Sequence, residues 1–175
     1  MKRLFVLAAF VFIAAIAANA QNKANFAGSW SLDKAKSQGL DQRMADVDVT
    51  WAITQDDSKI SIESKVSGGQ APAGGGGGGR GMGGGPRTYT LDGKEVTAEA
   101  GGQMGGTNTT KATWSADGKT LELMSVRAGN FNGNDFKSTS TDKMSLSSDG
   151  KTLTVVRHSE SPRGTTDSTM LFNKQ

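Results

Sequence analysis

The chain has 175 residues, with 20 basic and 17 acidic side chains, one histidine and no cysteine. That composition rules out disulfides and a lipid-modified cysteine. It also leaves no ligand set for zinc, for haem held by two histidines, or for Cys/His catalysis. No metal and no cofactor are expected.

Met1-Lys2-Arg3 precedes an apolar run of 15 residues over 4–18, followed by Asn19-Ala20. A basic start, a short apolar core and small residues at Ala18 and Ala20 predict a secretory signal peptide over residues 1–20, cleaved between Ala20 and Gln21. The run falls short of the ~20 residues that span a bilayer, so no transmembrane segment is expected after cleavage. Lys2 and Arg3 leave with the signal, and the remaining 18 basic and 17 acidic residues give a net charge of +1. Neither nucleic acid nor an anionic membrane surface is implied by that balance. The expected location is the periplasm or the extracellular space. Residues 21–175 suit one domain, long enough to bury a core without staples.

In residues 26–32, Phe26, Gly28, Trp30 and Leu32 alternate with Ala27, Ser29 and Ser31. Successive side chains of a strand point to opposite faces, so the pattern predicts a half-buried strand. Residues 33–46 are polar and read as a loop or short helix. Val49, Trp51 and Ile53 then mark a second strand, and Ile60 and Ile62 a third. The short polar turn between them predicts a hairpin. Residues 68–85 hold 12 of the 24 glycines, six of them consecutive. Glycine loses much entropy on ordering and offers nothing to pack, which predicts a flexible loop over residues 67–86. A single Arg80 without aromatics does not make an RNA-binding segment, and no Gly-Lys-Ser/Thr follows to hold phosphate.

Three Asp-Gly-Lys turns come next, at Asp92, Asp117 and Asp149. Asp-Gly between alternating segments is a strong hairpin signal, because glycine accepts positive φ. Two of these turns lie in nearly the same phrase, Ser115-Ala-Asp-Gly-Lys-Thr-Leu121 and Ser147-Ser-Asp-Gly-Lys-Thr-Leu153. Residues 129–135 read as a plain turn rather than a calcium loop, since the distal glutamate is missing. Residues 168–174 supply a last strand. About ten short strands without an amphipathic helix make an all-β protein. Closing the meander hides one apolar face and both edges, which predicts a single antiparallel up-and-down β-barrel of about 8–10 strands, with an open β-sandwich as the alternative. The expected interior is Trp30, Leu32, Val49, Trp51, Ile53, Ile60, Ile62, Trp114, Leu121, Leu123, Leu153, Val155, Met170 and Phe172.

Gly28-Ser29-Trp30 on the first strand resembles the Gly-x-Trp signature of lipocalins and the wider calycin group. The segment Asp33-Lys34-Ala35-Lys36-Ser37, the phrase from Tyr89 to Lys94, the hairpin from Leu146 to Val155 and the closing Phe172-Asn173-Lys174 are similar to exported bacterial lipocalin-like proteins. The glycine tract has no counterpart there. The resemblance implies that Gly28 and Trp30 are structural, with Trp30 across the closed end of the barrel. It also implies a basic residue of a late strand above that indole, Arg157 or Lys174.

No catalytic set emerges, and no enzyme is expected. His158 reads as a solvated surface residue, and the adjacent Asp56 and Asp57 point apart on one turn. Two functions remain. One is a barrel that binds a small apolar or amphipathic ligand, with Trp51, Ile60, Ile62, Trp114, Leu121 and Leu123 as candidate contacts. The other is a filled barrel serving as a structural or protein-interaction element of the cell envelope, with an envelope protein as partner. A barrel enzyme ranks third.

Overall fold

The computed structural model describes residues 23–41, 44, 46–68, 86–100, 106–131 and 133–175. The expected signal peptide, its cleavage point and residues 69–85 of the glycine tract lie outside them. Among the described residues ten strands run in chain order: β1 (Gly28–Leu32), β2 (Asp48–Gln55), β3 (Lys59–Ser67), β4 (Arg87–Thr90), β5 (Val96–Glu99), β6 (Thr107–Trp114), β7 (Thr120–Phe131), β8 (Asn134–Leu146), β9 (Thr152–Ser161) and β10 (Gly164–Lys174). All belong to one sheet, in the order β4-β3-β2-β1-β10-β9-β8-β7-β6-β5, and neighbours are antiparallel.

The first strand pairs with the last, Trp30 opposite Lys174 and Leu32 opposite Phe172. The two runs of the meander are therefore joined through the ends of the chain, and the sheet's edges fall in mid-chain at β4 and β5. β4 comes round to touch β6. The molecule is a nearly closed up-and-down barrel. A single sheet, rather than two packed ones, sets the open sandwich aside.

The closely similar phrases at Ser115 and Ser147 fold into matching turns. In each, the serine Oγ donates to the Asp carboxylate at 2.6 Å and accepts from the backbone N–H of the threonine at 2.9 Å. The lysine N–H donates to the same carboxylate at 3.0 Å, and the glycine sits at φ 68°. The hydroxyl and the carboxylate thus satisfy turn donors that the ladder cannot reach. Asp92-Gly93-Lys94 does not make a hairpin. The strands on its two sides do not pair: β4 bonds to β3, and β5 bonds to β6. Tyr89 and Leu91 are buried, whereas every residue of β5 is exposed, so packing holds only one arm of that turn.

The apolar cluster takes in all but one of the expected interior residues, together with Phe26, Tyr89, Leu91, Ala112 and Met144. Trp114 is the exception and is half-buried. Its indole stacks on Phe26 with ring centroids 6.0 Å apart, under Lys23 Nζ at 5.5 Å from the ring.

Candidate functional site

One end of the barrel is shut by the segment that precedes β1. Ala24 N–H donates to the Gly118 carbonyl, Gln55 Nε2 donates to the Ala24 carbonyl, and Phe26 N–H donates to Gln55 Oε1. These bonds lay residues 24–26 between the β6–β7 turn and the end of β2. Phe26 is fully buried and stands just outside β1, whose first residue, Gly28, lies at φ 138°. Trp30 Nε1 donates to the Phe26 carbonyl at 2.9 Å, which satisfies the one polar atom of a buried indole.

Lys174 Nζ lies over the Trp30 ring, 5.4 Å from its centroid. A Cβ on residue 28 would stand 3.3 Å from Lys174 Cε, in a backbone region that side chains disfavour. The Gly-x-Trp pair therefore has a local cause: glycine leaves the space through which the lysine crosses the indole. The turn at Asp33 is held to the same strand. Ser37 Oγ donates to the Asp33 carbonyl and accepts from Leu171 N–H, and Asp33 N–H donates to the Leu171 carbonyl.

Arg157 is not at that end. It points inward from β9 and makes a forked pair with Asp142 of β8: Nε to Oδ1 and Nη2 to Oδ2, both at 2.6 Å. The side chains of Asp142 and Arg157 are 5% and 22% exposed, so water screens this pair much less than it screens the surface pairs. Burial works against the guanidinium charge. The Asp142 hydrogen bonds and charge outweigh it and hold Arg157 above its ordinary pKa. Tyr89 reaches the same region from β4. Its pKa is raised by burial and by the charge of Asp142, against the opposing pull of Arg87 and Arg157.

The inner wall changes character above this pair. Alternation from the buried Leu121 and Leu123 carries Ser125, Arg127 and Gly129 onto the same face of β7. By the same parity the inward positions include Phe136, Ser138 and Ser140 on β8, Ser159 on β9, Thr166 and Ser168 on β10, and Asn108 and Thr110 on β6. None of these is fully buried. Ser125 Oγ donates to Asn108 Oδ1 at 3.2 Å. Arg127 Nε has no contact with solvent and no hydrogen-bond partner among the described residues.

Five of the six residues put forward as ligand contacts, Trp51, Ile60, Ile62, Leu121 and Leu123, lie in the packed apolar half, at most 3% exposed. Trp51 stacks at a tilt on Phe172, centroids 4.4 Å apart, and Trp114 sits at the shut end beside Phe26. Sequence reasoning passed over Arg87, Tyr89, Arg127 and Asp142. The usable signal was parity: counting by twos from Leu123 reaches Arg127, and from Val155 reaches Arg157.

His158 faces outward from β9, its Nδ1 2.6 Å from Asp167 and its Nε2 3.4 Å from Glu160. Among the described residues, no three potential metal ligands come together. No helix among them is long and apolar enough to cross a membrane.

No protein-family model matches the chain, and no curated protein does. Among solved structures, the crystal structure of zebrafish ileal bile acid-binding protein complexed with cholic acid aligns over 86% of this chain and 98% of its own. The TM-score is 0.47 and the identity 14%.

Proposed function

We propose that the protein is an exported binding protein, which takes a small amphipathic molecule into the half of the barrel away from Trp30. The observation that carries this reading is the step in the inner wall. Eight strands give a barrel whose interior side chains just fill, and the diameter grows with strand number. Ten strands enclose more, and over the far half most of the inward side chains are serine, threonine and glycine, with Phe136 and Arg127 among them, and those named above are not fully buried. The apolar half offers a ligand no space, because its large side chains already fill it. A filled structural barrel fits that half well and the other half poorly.

Export is supported by the pattern of residues 1–20. Amino-terminal sequencing of the protein recovered from the periplasm or medium tests this, with Gln21 as the expected first residue. The binding reading is tested by calorimetric titration with twelve-carbon amphiphiles below their micellar concentration. One-to-one binding is expected, and the absence of binding by every amphiphile tried would remove the reading.

A further inference from the structure

We infer that the far half of the barrel selects an anion, and that its ligand carries a carboxylate head on an apolar body. The inference rests on the far half being a binding site. It comes from the charges on the inward face. Arg87 of β4, Arg127 of β7 and Arg157 of β9 all share the parity of buried core residues. The carboxylate facing them, from any described strand, is Asp142 alone. Lys174 belongs to the opposite end, over Trp30.

Asp142 is already spent. Both of its oxygens accept from Arg157, at 2.6 Å each. Arg87 and Arg127 therefore face the interior with no carboxylate opposite them among the described residues. The positions opposite Arg127 are Asn108 and Ser138, and Asn108 Oδ1 is engaged by Ser125. A guanidinium has only donors, five N–H groups in a fixed planar fork. Holding one where its Nε touches neither solvent nor an acceptor is unfavourable unless an incoming group supplies the acceptor. A carboxylate fits that fork with two parallel hydrogen bonds, which a hydroxyl or a point cation cannot do. Tyr89 sets the depth. It is buried, and it shares its face of β4 with Arg87: they stand opposite the buried Ile60 and Ile62, so the β4 arginine is directed to the interior. The head would lie between Arg127 and Arg87, with the apolar body toward Tyr89 and the hydrophobic cluster.

The test compares dodecanoate, dodecanol and dodecyltrimethylammonium by calorimetry, on the full chain and below micellar concentrations. Dodecanoate is expected to bind at least tenfold tighter than dodecanol, and the ammonium amphiphile weakest. Arg127→Gln should bring the dodecanoate preference close to one by weakening dodecanoate far more than dodecanol, and Arg87→Gln should reduce it less. In the unaltered protein the preference should also disappear as the pH falls through the fatty acid's own carboxyl pKa. That readout stands even if a variant fails to fold. Equal affinity for dodecanoate and dodecanol would overturn the anion inference and leave the binding reading intact. A preference that survived in the Arg87→Gln/Arg127→Gln double variant would overturn it too. Binding of none of the three would remove both readings.

Discussion

The two halves of the barrel follow opposite rules with the same ten strands. Around Trp30 the inward positions are Trp, Phe, Leu, Ile, Val and Met, and the largest of them are fully buried. Around Arg127 they are mostly Ser, Thr, Asn and Gly, and each keeps some exposure. Apolar area removed from water contributes about 25 cal/mol per Å², so the first half supplies most of the stability. The second half buries little apolar area and keeps polar and charged groups on its inner face. Between them stands the Arg157–Asp142 pair, where the wall turns from apolar to polar. Stability and recognition are thus separated along the barrel axis.

The sharpest way to break that division is Trp30→Ala. It removes a fully buried indole, its bond to the Phe26 carbonyl and the seat of Lys174. A loss of about 3–5 kcal/mol is expected in denaturant unfolding, a large share of a domain's total of ~5–15. A melting point within a degree or two of the parent would show that this half is not the source of stability. Asp142→Ala comes next. It strands a mostly buried guanidinium, and about 3 kcal/mol should be lost, the low end for a broken buried pair because Arg157 keeps some exposure. Replacing both partners by leucine should recover much of that loss, which distinguishes the penalty of an orphaned charge from a net gain by the pair.

In the polar half, Ser140→Ala and Ser159→Ala should each change stability by no more than about 0.5 kcal/mol. A loss of several kcal/mol at either would mean that this half is packed after all. The smallest effect lies outside the barrel. Hydrogen bonds to Asp167 first, and to Glu160 second, hold the His158 pKa above its ordinary 6.5. A raised pKa contributes stability below the unfolded value, and that contribution fades as the pH rises through the folded one. His158→Gln should therefore lower the melting temperature more at pH about 5.5 than at pH about 8.5, where the two proteins should melt together.

The same division decided what could be read in advance. Strand detection relies on apolar and polar residues alternating, and the apolar half supplies that contrast. Val49, Trp51 and Ile53, or Leu121 and Leu123, announce both a strand and its inner face. In residues 124–131, 134–143 and 156–161 the inward positions are largely polar, as the outward ones are. The alternation vanishes there even though the strands run on, so β7, β8 and β9 extend well past the segments the pattern marked. A wall lined by serine and arginine leaves no hydrophobic period behind it. That is why core residues were legible and Arg127 was not. Arg157 was picked out by its place on a late strand, but chemistry at a distance of 15 residues, the carboxylate of Asp142, drew it away from Trp30. The turn at Asp92 misled for a further reason. Asp-Gly permits a reversal, but pairing across it depends on whether the returning strand has anything to bury, and β5 does not.

The pairing of β1 with β10 carries a consequence for time rather than shape. Trp30 finds its neighbour Lys174 near the other end of the sequence, so this seam cannot close until nearly the whole chain is available. Hairpins β6–β7 and β8–β9 can form early, since their partners lie a few residues away. The shut end needs Phe26, Trp30, Phe172 and Lys174 together, and contacts of such sequence separation slow folding, to the range of ~milliseconds to seconds.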